Sequence, residues 1–380
     1  MSTIARIVRL YYKGINIMAI WKGFEKGIGI GGWLTNFKRF TVIPLDKMLD
    51  LTKGDFYHFD TFITEKDIKY IASLKVDHIR LGFDQYVLEE KPGIFREQTI
   101  NLVENFVKWC KKYHLNVVLN LHKATGTYAP DDSEKKNLMT DEEEKRKFIT
   151  FWCNMEKRFS QYPDIAFELL NEVRNVDPNI WNDLAEQTIN AIRKINQTRP
   201  IVVGSSCWNS AFLLKDLKIF DDENVIYTFH MYEPFIFTSQ RGVLVENSCY
   251  YNGVFTYPSD AAPYKDFIKT VEHRDGLKEY DRIDKRFIKD KLQPAIDFVK
   301  EHPDKILWCG EFGCIRHIDL KSRENWFNDV ISIFKENNIS YAIWNYLSTI
   351  NDGNKYSLVD DDKRRILSHR LKRIINGHVK

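Results

Sequence analysis

The sequence predicts a single-domain α/β protein folded as a closed (β/α)8 TIM barrel, and three observations carry that prediction. Short apolar runs recur eight times along the 380 residues and alternate with segments whose apolar residues are spaced for helices. No repeat of roughly 20 to 50 residues and no Pro/Ser-rich linker divides the chain. The notable polar residues also fall at the ends of different runs. That suits a barrel, whose strand C-termini all meet on one face, better than a doubly wound open sheet, the alternative fold. The length accommodates a barrel of about 250 residues plus insertions.

Residues 1–17 mix Arg6, Arg9 and Lys13 into an apolar segment that lacks both a clean apolar stretch and a small-residue cleavage site. No signal peptide or membrane span is recognised there. They are set apart as an N-terminal extension, with Met18 the expected native start and 18–380 the barrel proper. The protein is expected to be cytoplasmic, or secreted with its signal missing from this sequence.

Strand one is expected over 26–33. Gly27, Gly29, Gly31 and Gly32 tempt a dinucleotide-loop reading, but they fall within the apparent strand and no helix opens after Trp33. A tight backbone beneath a pocket, with Trp33 at its rim, is the expectation. Residues 34–63, aromatic, polar and irregular, are expected to form a lid or docking loop. Thr64 and Asp67 cap a helix carrying Ile68, Ile71 and Ala72.

Strand two, 76–83, places Arg80 on the same side as His78 and Gly82, and an Arg turned into a barrel needs a carboxylate nearby. Leu102, Val103, Phe106, Val107 and Cys110 mark the next helix, and strand three, 115–122, ends in His122. Thr140 with Glu143 reads as the capping box of a helix whose buried stripe is Phe148, Phe151, Trp152, Met155 and Phe159. Strand four begins at Ile165, and its continuous apolar run, typical of a strand buried on both faces, ends abruptly in Asn171-Glu172. A helix through Trp181, Leu184, Thr188 and Ile192 leads to strand five, 201–205, with Trp208 just past it and within reach of the open face.

Strand six, 225–234, carries His230, Tyr232 and Glu233. A connection of roughly fifty residues follows, about 235–285, longer than ordinary loops. Its Phe235, Phe237, Tyr250, Tyr251, Phe255 and Tyr257 predict a wall along a cleft, the alternative being a lid packed on the barrel rim. A helix kinked near Pro294 precedes strand seven, 306–313, which carries Glu311. Trp326, Val330, Ile331 and Phe334 mark a further helix, strand eight covers 341–346, and the basic tail 363–380 closes the ring as the last helix.

The net charge is +3, from 56 basic and 53 acidic residues, so no strong field draws in nucleic acid or a membrane surface, and a neutral substrate is compatible. Aromatic residues at 14% supply flat apolar faces that suit sugar rings as well as a core. The cysteines at 110, 153, 207, 249, 309 and 314 are scattered and read as reduced, buried small residues. Cys309 and Cys314 form the one close pair, with no second pair or His cluster to complete a zinc site. Strand one has no His-x-His pair, and Asn351-Asp352-Gly353-Asn354 is a fragment of a calcium loop. No metal and no cofactor is expected, and the oligomeric state is left open.

Two runs thus end in carboxylates, Glu172 and Glu311, which a parallel barrel brings to one face. Two converging carboxylates are the minimum equipment for cleaving a glycosidic bond: one protonates the leaving oxygen while the other attacks the anomeric carbon or activates water. Glu168 and Glu233 compete for those roles, but Glu168 lies mid-strand as a partner for other groups and Glu233 follows Tyr232 into a loop.

Taken in order, Arg80, His122, Asn171-Glu172, His230-x-Tyr232, Glu311 and Trp344 occupy strands two, three, four, six, seven and eight. That set resembles glycoside hydrolase family five, the cellulase family. The resemblance implies a retaining mechanism with Glu172 as acid/base and Glu311 as nucleophile, Arg80 and Tyr232 holding Glu311 ionised by lowering its pKa. It implies Asn171 on the sugar 2-hydroxyl, Trp344 as the floor of the site, and His122 and His230 on substrate hydroxyls or the acid/base; satisfied core histidines are the alternative. Trp33 and Trp208 are candidate subsite aromatics.

The implied partner is a β-glucan polysaccharide or oligosaccharide cut at internal β-1,4 bonds. An exo-β-1,3-glucanase, which the segment from Gly29 to Leu34 also resembles, a mixed-linkage glucanase and a mannanase are the alternatives. From another class, a non-catalytic carbohydrate-binding barrel would tolerate loss of either glutamate.

Overall fold

Eight parallel strands close into a ring in which every strand pairs with its neighbours in sequence and the last pairs with the first. They are β1 (Lys26–Leu34), β2 (His78–Asp84), β3 (Asn116–Lys123), β4 (Ile165–Glu168), β5 (Ile201–Gly204), β6 (Val225–Met231), β7 (Ile306–Phe312) and β8 (Ser340–Ile343). This (β/α)8 TIM barrel was established in a computed structural model that describes residues 20–38, 49–127, 137–174, 176–242, 251–270, 276–349, 355–360, 363–366 and 368–379. The N-terminal extension with its Met18 start, Tyr250 and the segment 351–354 lie outside the described residues. The helices of seven residues or more among the described residues are α1 (Lys53–Thr61), α2 (Glu65–Ser73), α3 (Glu97–Lys112), α4 (Glu142–Phe159), α5 (Pro178–Arg193), α6 (Lys285–Lys291), α7 (Gln293–Glu301), α8 (Leu320–Glu336) and α9 (His369–Ile375).

Alternation sorts the strand residues into two cores. Outward positions such as Ile79, Leu81, Val117 and Leu119 join the large cluster shared with the helices. Inward positions Val118, Ala166, Val202, Ile226, Trp308 and Ala342 form a second cluster, which Trp21 and Phe24 close at the end where the strands begin. Nearer the strands' C-termini the inward positions turn polar, with Arg80, Asn120, Glu168 and His230 all buried.

Helix caps follow side-chain chemistry. Thr64 and Asp67 form the expected capping box of α2. For α4 the cap is Asp141, whose carboxylate accepts from the Glu143 and Glu144 amides; the predicted Thr140–Glu143 box stands one residue too early. The predicted kink near Pro294 is a break at Leu292 between α6 and α7. The expected lid over 34–63 contains α1, started by a Thr52–Asp55 capping box.

Three helix tryptophans tie the strand ends in place. The indole N–H groups of Trp152 (α4), Trp181 (α5) and Trp326 (α8) donate to the carbonyls of Leu169, Gly204 and Glu233, at 3.1, 2.8 and 3.1 Å. Each buried indole thus finds its acceptor in the backbone at the end of β5 or just after β4 or β6, where the candidate site residues stand.

The insertion after β6 does not turn three of its aromatic rings to a cleft wall. Phe237, Phe255 and Tyr257 are buried. Phe237 packs on Tyr257 and on Trp326 of α8, at 5.6 and 6.3 Å between ring centres, and the Tyr257 hydroxyl donates to Asp329 of the same helix at 2.8 Å. For these three rings the packed-lid alternative is the one the structure shows. No helix among the described residues is long and apolar enough to cross a membrane.

Candidate active site

Arg80 is the hub of the polar end. Inward-facing on β2 and without solvent exposure, its guanidinium makes a bidentate pair with Glu168 of β4 at 2.6 and 2.9 Å. It also donates to Asn171 Oδ1 at 2.7 Å and to Glu311 Oε1 at 2.5 Å. Glu168 is therefore the buried carboxylate that Arg80 requires, and its pairing takes it out of contention as the proton carrier. Accepting through Oδ1 leaves the Asn171 amide nitrogen to donate, one of its N–H groups toward His122.

Glu311 reaches the interior because β7 bulges. Cys309 stands opposite Phe229 and Glu311 opposite His230, two steps on β7 against one on β6. Such an extra residue re-aims the side chain that follows it. The residue that absorbs the bulge is Gly310, where a Cβ would stand 2.8 Å from the Thr228 hydroxyl. Glu311 Oε2 then accepts the Tyr232 hydroxyl at 2.7 Å.

Glu172 arrives by a different route. β4 ends at Glu168, and Glu172 sits beyond it in the left-handed region with φ 45°. It meets His230 Nδ1 through Oε1 at 2.9 Å. An oxygen of Glu172, an oxygen of Glu311 and a nitrogen of His230 lie within 4.8 Å of one another.

His122 is fixed by three amides: Nδ1 donates to Asn120 Oδ1 at 3.0 Å, while Nε2 faces the amide nitrogens of Asn36 at 3.1 Å and Asn171 at 3.4 Å. Its ring stacks on Trp344, with centres 5.5 Å apart and planes at 12°. Room for that indole comes from β1, where a Cβ at Gly29 would stand 2.9 Å and one at Gly31 2.4 Å from Trp344 ring atoms. The glycines of β1 are thus the tight backbone expected beneath a pocket.

The model of the family described as cellulase, glycosyl hydrolase family 5, matches residues 47–349, and Endoglucanase C of Acetivibrio thermocellus is 37% identical over 328 residues, 85% of this chain and 91% of that protein. The chain belongs to the cellulase family. Cellodextrinase A of Ruminococcus flavefaciens is 27% identical over 84% of each chain. A solved hyperthermophilic endo-β-1,4-glucanase in complex with substrate superposes with a TM-score of 0.70 at 21% identity, covering 95% of this chain and 99% of that one; that likeness speaks for the fold.

In this cellulase-family site the two carboxylates are held differently. Burial pushes the Glu172 carboxyl up to about 7, helped by the charge of Glu168 and opposed by Arg80 and Lys123. Burial also raises Glu311, against the pull of His230, Arg80 and the Tyr232 hydroxyl. The expectation that Arg80 and Tyr232 hold Glu311 low is corrected: they offset its desolvation without overcoming it.

Two carboxylates this close titrate as a pair, and hydrogen bonding decides where the single charge rests. Both oxygens of Glu311 accept from charged or hydroxyl donors, and only 5% of its side chain is exposed. Glu172 is a third exposed and has His230 beside it. The proton belongs on Glu172. Burial lowers His230 to about 4 and His122 well below the usual range, the latter helped by Arg80, Lys123 and His230, so both rings are neutral.

Among the described residues, Glu172, His230 and Glu311 are one group whose donors stand close enough to hold a cation. Arg80 brings a fixed positive charge against the same oxygens, and Tyr232 fills another acceptor position. The set suits proton transfer better than metal binding.

Of the predicted residues, the structure brings together Arg80, His122, Asn171, Glu172, His230, Tyr232, Glu311 and Trp344. Trp208 is 53% exposed, and its amide donates to Val173 at 2.8 Å, beside the Glu172 turn. Trp33 is not at a rim. It is fully buried, donates to the Phe59 carbonyl at 2.7 Å and packs on Phe106. Gly32, at φ 72°, breaks the alternation of β1 and turns the indole toward the helices. Sequence reasoning missed Asn36, Asn120 and Asn209. Asn120 was discoverable, since it lies two residues before His122 on the same strand face, whereas the other two stand in loops with left-handed backbone and no periodic signal.

Proposed function

We propose that this glycoside hydrolase is an endo-β-1,4-glucanase that works with retention of configuration, with Glu311 as nucleophile and Glu172 as acid/base. The observation that carries the mechanism is the approach of a Glu172 oxygen to within 4.8 Å of one on Glu311. Retaining enzymes hold their carboxyl groups about 5–5.5 Å apart, while inverting ones need about 6.5–9.5 Å to admit a water.

In the first step a Glu311 oxygen bonds to the anomeric carbon, the glycosidic C–O bond breaks, and the leaving oxygen takes the Glu172 proton. In the second step Glu172, now a carboxylate, removes a proton from water as the water oxygen attacks the same carbon, and Glu311 is released. Asn171, its Oδ1 engaged by Arg80, turns an amide N–H toward the sugar 2-hydroxyl. Trp344 lies flat beneath the ring being cleaved, and Trp208 offers an exposed face beside the Glu172 turn. Support for internal β-1,4 cleavage comes from the likeness to Endoglucanase C.

Glu311→Gly should lose more than about 10^4-fold in turnover on an activated aryl β-glycoside and recover activity with azide, giving the α-glycosyl azide. Recovery at position 172 with that product, and none at 311, would reverse the roles. Products from carboxymethylcellulose, barley glucan, laminarin and mannan settle the linkage: mixed-length cello-oligosaccharides are expected, and glucose from laminarin alone would overturn the endo-β-1,4 assignment. EDTA should leave turnover intact.

A further inference from the structure

We propose that Asn209 is a positioning residue for the acid step: its carboxamide fixes His230 as the Nδ1–H tautomer and so keeps the transferable proton of Glu172 on Oε2, facing the cleft. The inference rests on the assignment of Glu172 as acid/base, and it concerns a residue that does not touch the reacting atoms.

Asn209 is fully buried, and its Nδ2 stands 3.2 Å from His230 Nε2. An amide N–H there makes Nε2 an acceptor, which leaves the one ring proton of the neutral imidazole on Nδ1. That N–H points at Glu172 Oε1, 2.9 Å away, with Glu311 Oε2 further off at 3.7 Å. An oxygen that accepts a hydrogen bond is a poor place for the acid's own proton, so the proton stays on Oε2. In this sense an amide N–H satisfies the buried ring nitrogen, while the Asn209 carbonyl oxygen stands without a hydrogen-bond partner.

The local backbone is built to hold this carboxamide. Cys207, Trp208 and Asn209 are consecutive left-handed residues with φ of 57°, 59° and 55°, a conformation costing roughly 1–2 kcal/mol per residue that persists only where the surroundings impose it. The Cys207 and Trp208 amides donate to the carbonyls of Arg174 and Val173, just past Glu172, and Ser210 bridges to His230 on β6. Gly204 leaves the space: a Cβ there would stand 2.4 Å from Asn209 Oδ1 and 2.8 Å from Nδ2. One rigid turn thus connects the acid/base loop to the histidine that orients the acid. The charged and titratable groups around His230 are Glu172 on the β4 loop, Glu168 on β4, Glu311 on β7, Arg80 on β2 and His122 on β3, with Tyr232 on Glu311.

Asn209→Asp preserves shape and replaces the donor by an acceptor. The ionised carboxylate so introduced pulls a proton onto His230 Nε2. The ring then either turns its bare Nδ1 to Glu172, which ties up the acid's proton on that nitrogen, or becomes an imidazolium that leaves Glu172 ionised; in neither case does Oε2 carry the proton. With cellopentaose, whose leaving group needs protonation, kcat/KM near neutral pH should fall about 100-fold, the low end of general-acid contributions, and the alkaline limb should move to lower pH. With 2,4-dinitrophenyl β-cellobioside, whose leaving group departs unaided, the loss should be no more than a few-fold. Asn209→Ala should fall between, and Gly204→Ala, which displaces the carboxamide, should show the same substrate split.

Independently of activity, 15N-histidine-labelled enzyme should show His230, assigned through His230→Gln, with Nδ1 protonated and Nε2 bare between pH 6 and 8, and the reverse or a doubly protonated ring in Asn209→Asp. A wild-type Nε2–H tautomer overturns the inference, as does an equal loss on both substrates or no loss on either. Glu172→Ala is the control for the underlying assignment. If it shows no leaving-group split, Glu172 is not the acid and the proton-placement half falls with it, while the nitrogen signals still decide what Asn209 does to His230.

Discussion

Where the strands begin, the barrel interior holds Trp21, Phe24, Val118, Ala166, Val202, Ile226, Trp308 and Ala342; a few residues along the same strands it holds Arg80, Asn120, Glu168, His230 and Glu311. Both ends are buried; alternation turns the strand residues of both sets inward, except that the β7 bulge does so for Glu311 and that Trp21 and Phe24 enter from the chain before β1. They differ in what holds them. The apolar end is held by area removed from water and is satisfied by shape. The polar end must satisfy every charge by a specific partner, because an unpaired buried ion is among the costliest things a fold can contain. The contrast teaches that in one barrel the residues held by shape and the residues held by specific polar partners are separated along the strand axis.

The largest effect is expected at the hub. Arg80→Met strands Glu168 and Glu311 in the interior and should destabilise the protein by about 3–5 kcal/mol in urea unfolding, with turnover falling by at least about 100-fold. Adding Glu168→Leu should restore much of the stability and none of the turnover. If Arg80→Met alone were neutral for folding, the polar end would not be the electrostatic structure described. At the other end, Trp308→Ala should cost about 3–5 kcal/mol through the cavity it leaves, with turnover at 25 °C unchanged. A comparable loss of rate would join two regions that the structure separates.

A smaller effect lies in pH. Glu172 is raised to about 7 when folded, so its contribution to stability is full below its unfolded value near 4.5 and is lost as pH rises through 7. Glu172→Gln removes that loss and should raise the melting temperature at pH 8 more than at pH 5. His230, lowered to about 4, has the opposite sign: its contribution is full above its unfolded value near 6.5 and is lost as pH falls through 4. Turnover should decline on the alkaline side with an apparent pKa near 7. The smallest effect is at the rim, where Trp208→Ala should change stability by no more than about 0.5 kcal/mol while raising KM for long oligosaccharides over short ones.

The ring of eight strands was legible because each strand is a short apolar run between helices of amphipathic spacing, and the convergence of Glu172 and Glu311 was legible because two of those runs end in a carboxylate. Strand lengths were less so: β4 stops at Glu168 while the apolar run continues through Leu170, and the Leu169 and Asn171 amides still donate to the Val202 and Leu121 carbonyls of the neighbouring strands. The β7 bulge that turns Glu311 inward leaves no mark beyond Gly310. Trp33 was misread because a single left-handed glycine reverses the side on which an aromatic emerges. The aromatic count of the insertion could not distinguish a sugar-facing wall from a lobe packed on α8, since both need the same residues. Asn209 escaped because its role comes from a turn, and turns of three left-handed residues have no sequence period to detect.

The first strand carries one more consequence. At Gly27, Gly29 and Gly31 a Cβ would stand 2.2 Å from the His78 ring and 2.9 and 2.4 Å from the Trp344 ring, so the strand meets these aromatic planes with bare backbone. Positions with no functional group of their own are therefore expected to be as intolerant of substitution as the glutamates. In a saturation library scored for cellulose hydrolysis, an alternating pattern of forbidden side chains along residues 27 to 31 would trace the His78 ring and then the underside of Trp344, an imprint of two aromatic planes left in a strand that offers them only hydrogen atoms.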